Sequence, residues 1–454
     1  MAKYSIMDQR NNMTPQFPIR QFNGLLLGFF LSLVFWAGWI GYREEIPSMM
    51  IVLQVIIGIS YVSFMMLASR QRMLTLLFFA LAYFVLFTYT IQQFSISYWE
   101  GIFPPGDGDG VFYDHIAQKY MYSDVRTLFS EYLQYREIGD WGFILTVCGI
   151  YHFFSDPSLG RFFLAYMLNP ICVILASYYL YRTLRLIVTN ARIVKWVTSS
   201  FAFFPYFFLV SAVGRKENVF VFLISACLFF CIRYMQQRRT KDLCVAIITA
   251  TLMLFFRPPV AAIFFITIIL SLYITPQRVR LFFFWGGVGL VISPFIAGYL
   301  MEGVFGISID HVLAVTEARN RGIGQSNETI SWFVQFLSGL LGPFPNFTRS
   351  GIYGIFNSIG LLFKCFIPFY IYRVIPVIMR QQVYYMIPVL LCLFMGIAML
   401  VISGVALDIR YHITFFPPLL LLLAYSLAQN NSIPKTFGLY LSLIIVVIVQ
   451  YNIR

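Results

Sequence analysis

Residues 383–403 read VYYMIPVLLCLFMGIAMLVIS, a run without one charged side chain. A helix needs ~20 apolar residues to cross the hydrocarbon core of a bilayer, and this run supplies them. It has many counterparts. Of the 454 residues, 59% are hydrophobic and 19% aromatic, and only 11% are charged, against roughly 25% in an ordinary soluble domain. Mean hydropathy is +0.77. A soluble fold must cover its core with a charged shell, and this chain has too little charge to build one. A cytosolic enzyme, a secreted disulfide scaffold and a disordered chain are excluded. The apolar runs are long and unbroken, whereas a β-barrel has short alternating strands. The fold class is all-α: a polytopic integral membrane protein.

Candidate spans are 23–42, 47–68, 74–94, 161–184, 196–212, 219–235, 243–256, 259–275, 281–300, 352–373, 383–403, 412–428 and 437–452, about 13 transmembrane helices in a single membrane domain, 1–454. No cleavable leader is expected, because the first apolar run lacks a small-residue cleavage pattern. The net charge of +13 is read as the positive-inside bias, not as a nucleic-acid surface. Basic residues cluster at Arg70 and Arg72, at Arg182, Arg185, Arg192 and Lys195, at Arg238, Arg239 and Lys241, at Arg278 and Arg280, and at Arg373 and Arg380. These loops, with the N-terminus, are assigned to the cytoplasm and the protein to the plasma membrane. The fourteen-residue run WGFILTVCGIYHFF, which begins at Trp141, would reverse every later loop if it crossed. The segment near 142–155 is therefore read as re-entrant or juxtamembrane.

Two large loops then face outward: 95–155, with an acidic cluster and the juxtamembrane segment, and 301–351, rich in Gly, Asn, Ser and Pro. The first contains PPGDGDGVFYDH (104–115), in which Asp107, Asp109 and Asp114 are interleaved with glycines that let the backbone turn sharply. Such carboxylates can take a proton from a hydroxyl or hold a divalent cation. The spacing is not that of an EF-hand. Tyr120, Tyr122, Tyr132 and Tyr135 follow in an amphipathic stretch suited to the membrane interface.

Three short outer turns carry unexpected charge: GRKEN (214–218), FRPP (256–259) and DIRYH (408–412). With Arg319 and Arg321 in EARNRGIGQSNE, the outward side offers Arg215, Lys216, Arg257, Arg319, Arg321 and Arg410, with Tyr411 and His412 beside the last. Six cations on the side that usually avoids them fit a phosphate or pyrophosphate headgroup. Glu217 is the one carboxylate of its turn. The seven Cys are read as small buried hydrophobes, Lys364 as a snorkelling side chain inside a span, and the 49 Phe as mostly lipid-facing. The four His have no metal-ligand spacing, and no phosphate-binding loop or Ser-His-Asp signature occurs.

The order of these features resembles that of the GT-C superfamily of membrane glycosyltransferases and the related Wzy-type polymerases of surface polysaccharide. Asp109, Tyr113 and Ala117 stand in the first outer loop. An apolar juxtamembrane segment and Arg161 follow, then a basic loop, RKE, FRPP, a second outer loop ending in GPFPNF (342–347), and RYH before FPPLLLLLAY. The likeness spans roughly residues 74–428. It implies a polyprenyl-phosphate or -diphosphate sugar donor at the outer leaflet, a glycan or lipid-linked acceptor, and a role in assembling O-antigen, capsule or exopolysaccharide. It also implies an acidic base in the first outer loop. That base is Asp109 first and Asp107 second, with Glu217 as fallback; Arg215, Lys216, Arg257 and Arg410 would hold the donor phosphate. A divalent cation on Asp107, Asp109 and Asp114 is the one cofactor candidate. A repeat-unit polymerase and, from another class, a transporter or flippase of a lipid-linked glycan are the alternatives.

Overall fold

The computed structural model describes residues 17–43, 48–103, 108–274, 328–345, 352–406, 408–429 and 436–453, and every regular element among them is helical. In chain order these are α1 (Phe17–Arg43), α2 (Ser48–Ala68), α3 (Met73–Trp99), α4 (Gly108–Lys119), α5 (Val125–Glu131), α6 (Ile138–Phe154), α7 (Pro157–Phe163), α8 (Asn169–Ile187), α9 (Ala191–Ala202), α10 (Pro205–Ala212), α11 (Glu217–Gln237), α12 (Thr240–Leu254), α13 (Pro258–Tyr273), α14 (Glu328–Leu341), α15 (Ile352–Gln381), α16 (Ile387–Ile402), α17 (Phe416–Gln429) and α18 (Thr436–Ile453). Their boundaries follow local chemistry. Asp124, Asp156, Asn190 and Asp408 each accept hydrogen bonds from backbone N–H groups that a helix start leaves open. Pro157, Pro205 and Pro258 occupy first positions, where a missing N–H costs nothing. Gly214, at φ +64°, turns the chain between α10 and α11 in a conformation that favours glycine.

Eight helical stretches among the described residues are long and apolar enough to cross a membrane, and Gln21–Ser32, Ile138–Phe154, Pro258–Tyr273 and Thr436–Gln450 are shorter apolar helices. The expected span at 281–300 lies outside the described residues. The one expected at 243–256 is α12, with Lys241 and Asp242 in its first turn. The chain is thus a multi-pass helical protein, with length alone selecting eight spans.

The helices have two distinct ends. α11 runs 21 residues, about 31 Å at 1.5 Å per residue, the thickness of a hydrocarbon core. At its C-terminal end the Gln236 amide donates to the Leu186 carbonyl (3.2 Å), and the Tyr384 hydroxyl donates to that of Met235 (3.3 Å). Arg233 pairs there with buried Asp242. At its N-terminal end lie the turns 214–218, 256–259 and 408–412. Between the ends α11 packs against α8 and α12.

Much of the phenylalanine faces inward, contrary to the lipid-facing expectation. Phe22, Trp196 and Phe363 meet edge to face at 5.6–5.9 Å, and Tyr83 and Phe203 at 5.1 Å. Phe201, Phe203, Phe204 and Phe207 are fully buried. Aromatic pairs of this geometry add about 0.5–1.5 kcal/mol each beyond area burial. Six of the seven Cys are buried and Cys244 is exposed.

With Cys244 replaced by Ala, Lys119→Cys and Arg239→Cys are expected to react with an impermeant thiol reagent from opposite sides of the membrane. Both residues are exposed. Reaction of both from one side contradicts the two-ended arrangement.

Candidate active site at one end of the helices

The first turn of α4, the start of α6 and the turns 215–217, 256–259 and 410–411 surround one cavity of about 550 Å³, within the roughly 300–1,000 Å³ of small-ligand clefts. Five stretches separated by up to three hundred residues meet here. Of the residues expected to act, Asp109, Arg215, Lys216, Glu217, Arg257, Arg410 and Tyr411 all line it.

Local folding explains each position. α6 opens Ile138-Gly139-Asp140-Trp141-Gly142, which puts two glycines on one face. A Cβ on Gly139 would lie 2.7 Å from Pro258, and one on Gly142 would lie 2.9 Å from the Phe255 carbonyl oxygen. Their absence lets α6 rest on the α12–α13 turn, where the Gly142 N–H donates to Phe255 (2.7 Å). Asp140 then reaches Lys216, whose ammonium donates to Asp140 Oδ1 (2.8 Å) and to the Gly139 carbonyl (3.2 Å). Asp140 was not among the expected residues. A carboxylate between Gly139 and the Trp141-Gly142 pair, at the head of an apolar helix, was the available signal.

Arg257 precedes α13 and sits in a cage. Its guanidinium lies 4.4 Å from the Tyr411 ring and 5.8 Å from that of Phe220, within cation–π range. Nη1 donates to the Arg410 carbonyl (3.4 Å), and Nη2 stands 3.7 Å from Glu217 Oε1. Arg410 is oriented by Asp408, which caps its backbone N–H (2.9 Å) and accepts from its Nε (2.7 Å). Its Nη1 donates to Asp109 Oδ2 (2.6 Å). That carboxylate is 52% exposed, so the pair contributes at most about 1 kcal/mol and a competing anion can replace it. Glu217, the first residue of α11, is 3% exposed. Its Oε2 has no hydrogen-bond partner among the described residues. Arg215 is buried beside it at 4%. Burial holds the Tyr113 hydroxyl well above its ordinary range, and the nearby carboxylates of Asp140, Glu217 and Asp109 push the same way. It therefore lines the cavity as a protonated donor.

Other expected residues are elsewhere. Both oxygens of Asp114 are held by the fork of Arg161 (2.7 and 2.9 Å), and the Tyr151 hydroxyl donates to one of them (2.6 Å). They border a separate, water-sized cavity of about 20 Å³. Asp109 and Asp114 thus serve different arginines and do not converge, so this pair does not fit a shared cation. No group of three potential metal ligands occurs among the described residues. Asp107, Arg319 and Arg321 lie outside the described residues. His412 points away from the cavity and is 2% exposed. Its Nδ1 is 3.0 Å from the Lys364 ammonium, which can only donate, so Nε2 carries the proton and donates to the Ala406 carbonyl (2.6 Å). Lys364 also donates to the Gly342 carbonyl. It is buried rather than snorkelling. Tyr122 and Tyr135 are exposed, whereas Tyr120 is buried.

Gly142→Val is expected to lower the thermal unfolding midpoint of the detergent-solubilised protein, by overpacking worth about 1–3 kcal/mol. An unchanged midpoint would mean that α6 does not rest on the Phe255–Pro258 turn.

No protein-family model matches the chain, and no curated protein matches it.

Proposed function

We propose that the protein is a membrane glycosyltransferase that transfers sugar or oligosaccharide from a polyprenyl-phosphate or -diphosphate donor, in the assembly of cell-surface polysaccharide. One observation carries this reading: Arg215, Lys216, Arg257 and Arg410 line one cavity together with Asp109, Asp140 and Glu217, at one end of membrane-length helices. Cations placed where charge develops on a leaving phosphate are the main requirement of such a transfer, and a carboxylate that takes the acceptor proton is the second. The caged Arg257 and the Asp408-oriented Arg410 provide preformed donors, and the weakly held Asp109 gives way to the ligand.

In this reading the cavity opens to the outer face, the basic loops and the N-terminus are cytoplasmic, and the membrane is the plasma membrane. Helices α1, α12, α13 and α18 cross with the eight stretches that length and apolarity select, the segment 281–300 completes about 13 spans, and α6 does not cross. The lipid-linked donor enters from within the bilayer. An acceptor hydroxyl oxygen attacks the anomeric carbon, the bond from that carbon to the phosphate oxygen breaks, and the phosphate leaves with the electron pair toward the arginines. A repeat-unit polymerase performs the same exchange on a longer acceptor.

Arg257→Ala and Arg410→Ala, each introduced into a deletion strain of the source organism, are expected to abolish most surface-glycan product while folded protein persists. Arg257→Lys is expected to restore only part, because an ammonium stacks less well between Tyr411 and Phe220. Full product from both alanine variants would refute a lipid-phosphate site here.

A further inference from the structure

We infer that Glu217, not Asp109, is the catalytic base, and that its unpartnered oxygen receives the acceptor's hydroxyl group. The inference rests on the glycosyltransferase reading and assigns the acceptor side of the same cavity.

Two carboxylates can be compared directly. Asp109 is half exposed, and its carboxylate is engaged by Arg410 at 2.6 Å. Any phosphate that takes Arg410 brings negative charge against Asp109, so this residue acts as a counter-ion that the donor displaces. Glu217 differs in every respect. It is 3% exposed, lines the cavity, and holds Arg257 through Oε1 only at 3.7 Å. Oε2 has no partner among the described residues. A buried carboxylate oxygen without a hydrogen bond costs stability, about 1–3 kcal/mol or more. A ligand hydroxyl that donates to Oε2 would remove that cost.

Arg257 stands between Glu217 (Nη2 to Oε1, 3.7 Å) and the backbone carbonyl of Arg410 (Nη1, 3.4 Å), so acceptor and leaving phosphate would occupy opposite sides of one guanidinium. An acceptor hydroxyl at Glu217 would donate to Oε2 and supply the partner that this oxygen lacks among the described residues.

The step balances as follows. The acceptor O–H gives its proton to Glu217 Oε2 as its oxygen bonds to the anomeric carbon. The bond between that carbon and the lipid phosphate breaks, and the phosphate takes the electron pair beside Arg257 and Arg410. The proton on Glu217 then passes to the departing phosphate or to water, which restores the carboxylate.

The test uses Glu217→Gln, Glu217→Asp, Asp109→Asn and Arg257→Ala in the deletion strain, with surface-glycan product as one readout. Binding of inorganic pyrophosphate to each purified full-length variant is the other. Glu217→Gln is expected to lose product by about 10²–10⁴-fold, the range of general-base catalysis, while pyrophosphate binding stays at or above wild type. Glu217→Asp should recover part of the product. Asp109→Asn should lose less product than Glu217→Gln and bind pyrophosphate more tightly, since it removes the competing carboxylate. Near-normal product from Glu217→Gln with loss in Arg257→Ala overturns the inference and leaves the glycosyltransferase reading standing. Loss of pyrophosphate binding together with product in Glu217→Gln also overturns it, because the residue would then only maintain the site. Near-normal product from all four variants overturns both.

Discussion

Lys216 reaches Asp140, Arg257 approaches Glu217, and Arg410 reaches Asp109, and each pair joins segments far apart in the chain. In a protein with so few charges, these contacts decide which turns meet. A Lys or Arg at the centre of a membrane helix costs about 2.5–3.5 kcal/mol on insertion scales, so a cation near the hydrocarbon must find a carboxylate or water. Gathering the pairs at one end solves this and also creates a cavity with fixed cations on its wall. The same constraint shapes the other end, where Asp242, fully buried, is held by Arg233.

The helical architecture was legible because unbroken apolar runs have only one use at this length. Which runs lie deepest was not. Ala191–Ala212 and Met73–Ser97 both read as apolar spans, yet 94% of the first window is buried and 39% of the second. Lipid tails are as apolar as leucine, so a lipid-facing and a protein-facing helix need not differ in hydrophobicity. The same degeneracy hid the inward packing of Phe201, Phe203 and Phe204. The shortness of α12 and α13 was legible: the runs 243–256 and 259–275 begin against Lys241-Asp242 and the Pro258-Pro259 pair, and the helices have 15 and 16 residues.

The charged turns of the candidate site could be picked out one by one, since each interrupts an apolar background. Their partners could not, because pairing depends on how helices stack. Asp107, Asp109 and Asp114 read as one acidic cluster from spacing alone. In the structure α4 turns Asp109 toward Arg410 and Asp114 toward Arg161. Arg410 and His412 likewise read as one segment. Two residues on a helical turn point to different sides, so the histidine leaves the cavity that the arginine enters. Glu217 was visible as a lone carboxylate, but its unpartnered oxygen is a property of the packed structure only.

Lys364 links three parts of the chain at one atom. Its ammonium bonds to the Gly342 carbonyl and to His412, which in turn holds Ala406, while the residues just before His412 carry the cavity's Arg410 and Tyr411. A buried ammonium cannot be released without leaving its charge bare in an apolar interior. The turn 408–412, the segment 342–345 and α15 are therefore tied together at a single nitrogen behind the wall of the cavity.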